Sequence, residues 1–86
     1  MMEHHLLVQI EPQEEGGYLA VCPEIQGCHA EGRTIGEALD NLQSVAQVIY
    51  ELCREKGLPF ISDVPGASIE RITWHIEVSS ALQVAV

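Results

Sequence analysis

The chain is most tightly constrained between Gly16 and Leu42. There Gly-Gly-Tyr-Leu-Ala-Val-Cys-Pro-Glu-Ile-Gln-Gly-Cys-His-Ala-Glu-Gly leads, through Arg33, into Thr-Ile-Gly-Glu-Ala-Leu-Asp-Asn-Leu. Glycines free to take positive φ, a proline that cannot donate to a ladder and a hydroxyl residue suited to opening a helix follow one another at short intervals. Nearly every special residue has a backbone role. The segment therefore dictates turn, strand, crossing, strand and helix, in that order.

Upstream, His4–Glu11 alternates: Leu6, Val8 and Ile10 share one face of an extended chain, and His5, Gln9 and Glu11 the other. Pro12 is expected to end that ladder, and Gln13–Gly17 supplies the turn. Tyr18–Cys22 reads as a second strand, hairpin partner of the first, with Pro23 as its stop. Gly27 lets the chain cross, and Cys28–Gly32 predicts a short third strand. Such short connections favour an antiparallel meander.

Thr34 is a good N-cap, and Glu37, three residues on, predicts a capping box. Ile35, Ala38, Leu39, Leu42, Val45, Ala46, Ile49, Leu52 and Cys53 then recur at helical spacing for about six turns. Arg54 and Lys56 complement the dipole of the last turn, and Gly57 followed by Pro59 stops it. Phe60–Ser68 reads as a loop of turn formers around Pro65-Gly66. Ile69–Val78 reads as a fourth strand, with Ile72, Trp74, Ile76 and Val78 on one face. The uncharged, apolar Ser79–Val86 suits a strand extension or a helical turn, and an oligomer contact. The pattern is α+β: a single domain over residues 1–86, β-β-β-α-β, a two-layer sandwich of one long helix on an antiparallel-rich sheet.

Composition narrows the function. A chain of 86 residues buries only about 60–65% of its unfolded surface, yet 47% of these residues are apolar and 20% charged. That excess predicts a homo-oligomer. Thirteen acidic side chains against four basic ones give a formal charge of −9. Nucleic-acid affinity draws on Lys and Arg, so neither direct nucleic-acid binding nor attachment to an anionic membrane is expected; the field favours basic partners. Three cysteines leave one unpaired in any disulfide scheme and form no Cys-x-x-Cys, which suits a reducing cytoplasm. With no basic n-region at the start and no apolar run of membrane-spanning length, neither signal peptide nor span is expected.

Glu11, Gly17-Tyr18, Ala20, Cys22-Pro23-Glu24-Ile25, Gly27 to Gly32, Thr34, Glu37-Ala38-Leu39 and Asn41, in that order and spacing, resemble the HicB-like antitoxin family, over roughly residues 5–60. The resemblance implies a partial ribonuclease-H-like fold and a toxin–antitoxin role. Such antitoxins bind a small basic, HicA-like toxin of double-stranded-RNA-binding-like fold that cleaves mRNA, and cover its active site. Many members add a C-terminal helix-turn-helix or ribbon-helix-helix module. Here about eight residues follow the fourth strand, so a stand-alone N-terminal domain without that DNA-binding module is expected.

Glu11, Glu14, Glu15, Glu24, Glu31 and Asp40 are then the candidate toxin-binding surface, expected mostly at one end and edge of the sheet. Complementary charge there would supply on-rate and specificity. A solvated rim is the alternative use of the same carboxylates, and Glu37 is assigned to the cap. Two-metal nucleases need several carboxylates converging on ions roughly 4 Å apart. Only Glu11 is placed for that, so no catalytic residue, metal or cofactor is expected, and no enzymatic activity.

His4 and His5, adjacent on a strand, point to opposite faces and share no ion within one chain; across an oligomer interface His29 or His75 would have to join them. Cys28 and His29 diverge in the same way and make no nucleophile pair. Cys22 and Cys28 read as small buried hydrophobes, and Asn41 as structural, its amide directed to the preceding loop. The sequence thus points to an antitoxin-like protein that masks a small basic mRNA-cleaving toxin. The alternative is a stand-alone structural or ligand-binding homo-oligomer of the same fold.

Overall fold

A computed structural model describes residues 3–61, 64 and 66–79. The alternating apolar residues of β1 (His4–Pro12) place Leu6, Val8 and Ile10 on one face, each 2% exposed or less. Both edges of β1 are occupied. β2 (Tyr18–Val21) returns antiparallel on one side, and β4 (Ile72–Val78) runs parallel on the other. β3 (His29–Gly32) pairs antiparallel with β2, which gives the order β3-β2-β1-β4. The α+β architecture expected from the pattern is the one found, with three antiparallel strands and one parallel addition.

Each strand differs from expectation at one boundary: β1 ends at Pro12 rather than Glu11, β2 at Val21 rather than Cys22, β3 starts at His29 rather than Cys28, and β4 at Ile72 rather than Ile69. Pro12 does end the ladder, as its last paired residue, opposite Tyr18 in the β1–β2 register. Ile69–Arg71 forms a 3-10 turn, because the Ser68 hydroxyl accepts the Glu70 N–H and starts the turn before β4 extends.

α1 (Ile35–Lys56) buries Ala38, Leu42 and Ala46, spaced four apart, against the inner face of the sheet. Its start follows the sequence pattern in part. The Thr34 hydroxyl accepts the Glu37 N–H at 3.0 Å, but the Glu37 carboxylate reaches past Thr34 to the Arg33 N–H at 2.7 Å. Thr34 is extended there (φ −127°), which turns the Arg33 amide toward the carboxylate. At the other end Gly57 takes φ 69°, and the Gly57 and Leu58 amides donate to the Arg54 and Cys53 carbonyls. Glycine reaches that left-handed conformation without a Cβ penalty, so the helix stops there.

The core combines the inner faces of β1 and β2 with Cys22, Ile25 and Cys28 of the crossing, the helix stripe, and Phe60, Ile61 and Ala67. Fully burying each large aliphatic contributes about 1.5–3 kcal/mol. The segment after the helix is thus more than a loop of turn formers: Phe60 is 7% exposed, its ring meets Tyr50 edge-on at 5.1 Å, and Ile61 bridges to Val64. Trp74 and Tyr18 pack against the same core. The strand extension, helical turn or oligomer contact expected at Ser79–Val86 lies, from residue 80 on, outside the described residues. Among the described residues no helix is long and apolar enough to cross a membrane.

Candidate partner-binding surface

The strand alternation that builds the core fixes a second, open face. Opposite Leu6, Val8 and Ile10 stand His5, Leu7, Gln9 and Glu11, and the register carries their rows across the sheet. One row runs Glu77, Gln9, Val21, His29; the next runs Glu11, Leu19, Glu31. Leu19 and Val21 are half-buried, and Leu7 is exposed. No layer of the described residues lies over this face, since α1 packs on the other. None of the four strands contains Lys or Arg, so Glu11, Glu31 and Glu77 meet no cation within the sheet.

Beside that row, the β1–β2 hairpin projects Glu14 and Glu15, both exposed. The turn is closed by the Gly16 amide donating to the Gln13 carbonyl at 3.0 Å and the Gln13 amide to the Gly17 carbonyl at 3.0 Å. Gly17, at φ 81°, leaves no room for a Cβ, which would fall 2.8 Å from the Gly32 carbonyl oxygen. The hairpin therefore sits against the end of β3, and an open notch of about 540 Å³ forms between them. Glu15, Glu31, Arg33 and Glu37 line it. The notch is anionic on balance: Arg33 is its one cation, and that guanidinium lies 3.6 Å from Glu37. The Arg33 backbone N–H, helped by the nearby guanidinium and only partly opposed by desolvation, holds the Glu37 carboxyl below its ordinary value. Asn41 donates its amide to the Glu31 carbonyl at 2.8 Å, tying β3 to the helix while Glu31 points to the open face.

Of the six acidic residues picked out by sequence, four gather here: Glu11 and Glu31 on the open face, Glu14 and Glu15 on the hairpin. Glu24 and Asp40 do not. Glu24 sits in the β2–β3 crossing, beyond the opposite end of those strands. Asp40 lies two residues past Ala38, so it faces away from the buried stripe and projects to solvent from the helix. Glu77, not among those six, joins the open face as well. Its place depends on the parallel pairing of β4 with β1.

The histidines also differ from expectation. His5 and His75 meet within one chain, Nδ1 to Nε2 at 2.7 Å. All three cysteines are free thiols, with Cys22 and Cys28 buried. Burial raises both, above all Cys28, which is pushed up to about 12. Neither is a nucleophile at neutral pH. Among the described residues no three His, Cys, Asp or Glu side chains converge to hold a metal.

Comparison with known proteins gives the following relatives. The chain is 46% identical over 61 residues to UPF0150 protein ssl0738 of Synechocystis sp. (strain ATCC 27184 / PCC 6803 / Kazusa), an alignment covering 67% of this chain and 85% of that protein. It is 34% identical over 56 residues to UPF0150 protein ssr1258 of the same organism, covering 65% and 75% respectively. A third, UPF0150 protein ssr1765, is 35% identical over 48 residues, 56% of this chain and 61% of that one. No family model matches the chain, and no solved structure gives a significant match.

Proposed function

This chain belongs to the UPF0150 protein family, and we propose that it acts as an antitoxin-like binding protein without enzymatic activity of its own. Its partner is a small basic ribonuclease of the HicA-like kind, whose RNA-binding surface it covers. The observation that carries this reading is the row Glu11–Leu19–Glu31 on a sheet face whose strands hold no Lys or Arg, flanked by Glu14 and Glu15. Carboxylates arranged around an apolar centre complement a groove built to hold phosphates. They speed association with a cationic protein and discriminate against anionic ones. The likeness of the Gly17–Asn41 run to HicB-like antitoxins supports the same reading.

Co-expression with a small basic ribonuclease encoded next to this chain tests it. The expected result is a complex that survives purification and relieves the growth arrest that the ribonuclease causes alone. Failure of both complex formation and rescue overturns the proposal.

A second reading rests on a different surface. Ile76 and Val78 lie on the inner face of the edge strand β4 yet are each 48% exposed, and Val48 and Leu52 of the helix are 57% and 49% exposed. An edge strand with uncovered apolar side chains favours a homo-oligomer built through it. Light scattering on the purified chain separates that assembly from a monomer.

A further inference from the structure

We propose that His5 and His75 form a two-imidazole chelate for a divalent transition metal, with Cu2+ the preferred ion. The two residues are 70 positions apart in sequence, but the parallel register sets His5 opposite Thr73 and His75 opposite Leu7. They are therefore diagonal neighbours on the open face. Their rings stand side by side, with centroids 4.9 Å apart and planes 28° apart, and Nδ1 of His5 lies 2.7 Å from Nε2 of His75.

That separation is close to a metal's bite. Imidazole nitrogens about 2.0–2.1 Å from an ion are about 2.9 Å apart at a right angle and about 3.4 Å apart at a tetrahedral one. The observed spacing needs only a few tenths of an ångström and a ring rotation to meet the right-angle case, which is the cis geometry of tetragonal Cu2+ or Ni2+. Imidazole suits these ions, and divalent affinity peaks at Cu2+. Without metal one of the facing nitrogens donates its proton to the other; on binding, the donor ring takes its other tautomer, its proton moving to the ring's second nitrogen, and both facing nitrogens offer lone pairs to the ion.

The surroundings favour a cation. Both rings are exposed, so an ion reaches them without opening the core. Glu77 follows His75 on the same face, and Glu3 accepts the Thr73 hydroxyl at 3.4 Å beside His5. Neither strand carries a Lys or Arg to repel the ion. No third protein ligand converges among the described residues, so water fills the remaining positions and the site stays open. Bound metal clips β4 to β1, its one strand partner among the described residues, and stabilises the fold by mass action.

Titration of CuCl2 into the chain by calorimetry, with electron paramagnetic resonance of the product, tests the site. The chain should carry a histidine-free N-terminal extension, so that the terminal amine near His4 offers no competing ligand. One equivalent of Cu2+ is expected to bind with nitrogen hyperfine coupling and to raise the melting temperature. His5→Ala and His75→Ala should each weaken binding by roughly tenfold or more, at least the loss seen when an outer-shell partner of a metal ligand is removed. His29→Ala, on the same face but on β3, should leave it unchanged. Circular dichroism establishes that these surface variants fold. Absence of nitrogen-coupled Cu2+, or affinity that survives both the His5 and His75 substitutions, overturns the site.

Discussion

A Cβ on Gly32 would lie 2.3 Å from the backbone nitrogen of Ala38, so β3 and the first turn of α1 meet main chain to main chain. Four residues on, Gly36 has open space, its nearest neighbour being the Thr34 hydroxyl at 4.0 Å. The same substitution at the two glycines should therefore have opposite signs. Gly32→Ala has only backbone to push against and is expected to destabilise by about 3 kcal/mol. Gly36→Ala gains helix propensity and is expected to stabilise by about 0.5–1 kcal/mol. Urea denaturation of both variants checks this, and equal signs would refute the close approach.

Charge reversal separates binding from folding. Glu11→Lys with Glu31→Lys changes two exposed side chains either side of Leu19. Stability should stay within about 0.5 kcal/mol of the parent, while capture of a basic ribonuclease is lost. Glu24→Lys with Asp40→Lys makes the same change in net charge away from that row and should retain capture. Pull-down of the two double variants beside their melting curves decides it.

The helix start responds to acid. The Arg33 N–H holds Glu37 below its ordinary value of 4.5, so its ionised form is favoured in the fold. A carboxyl depressed in this way contributes stability above its unfolded value and loses it as pH falls through the folded one. The melting-temperature difference between the parent and Glu37→Gln should therefore be present at neutral pH and disappear on acidification below 4.5. Thr34→Ala removes an uncharged cap and should cost about 1 kcal/mol across the same range.

The buried thiols respond to alkali with the opposite sign. Cys28 rises from 9.0 to about 12, and Cys22 is raised with it, chiefly because burial disfavours the thiolate. Their protonated forms belong to the fold, so stability is complete below pH 9 and declines as pH climbs from there toward 12. Melting against pH should show that decline, shallower in Cys28→Ala. At neutral pH a thiol reagent should label the partly exposed Cys53 first.

Local devices were legible in the chain. Period-two alternation marked the inner residues of β1, and Thr34, Glu37, Gly57 and the apolar stripe marked α1, because each acts within a few residues of itself. What depends on three-dimensional return was not. Phe60, Ile61 and Ala67 enter the core from a segment whose Pro and Gly content reads as surface loop, since turn chemistry says nothing about which side chains turn inward. His5 meets His75, and Glu77 joins the open face, only because β4 returns parallel to β1 in one register. No spacing along the chain encodes that register. Four of the acidic candidates lie near one another because three strands end together there. Glu24 and Asp40 leave the group because a crossing and a helix carry them to the far end and the far layer.

The position of β1 between β2 and β4 also bears on biosynthesis. β1 cannot complete its hydrogen bonding until translation has passed Val78, since His4 pairs with Ile72 and Ile10 with Val78. Until then the β1-β2-β3-α1 portion presents one bare ladder, a template for other nascent copies. Such distant closure slows maturation, and it makes the docking of β4 the step at which productive folding and aggregation compete.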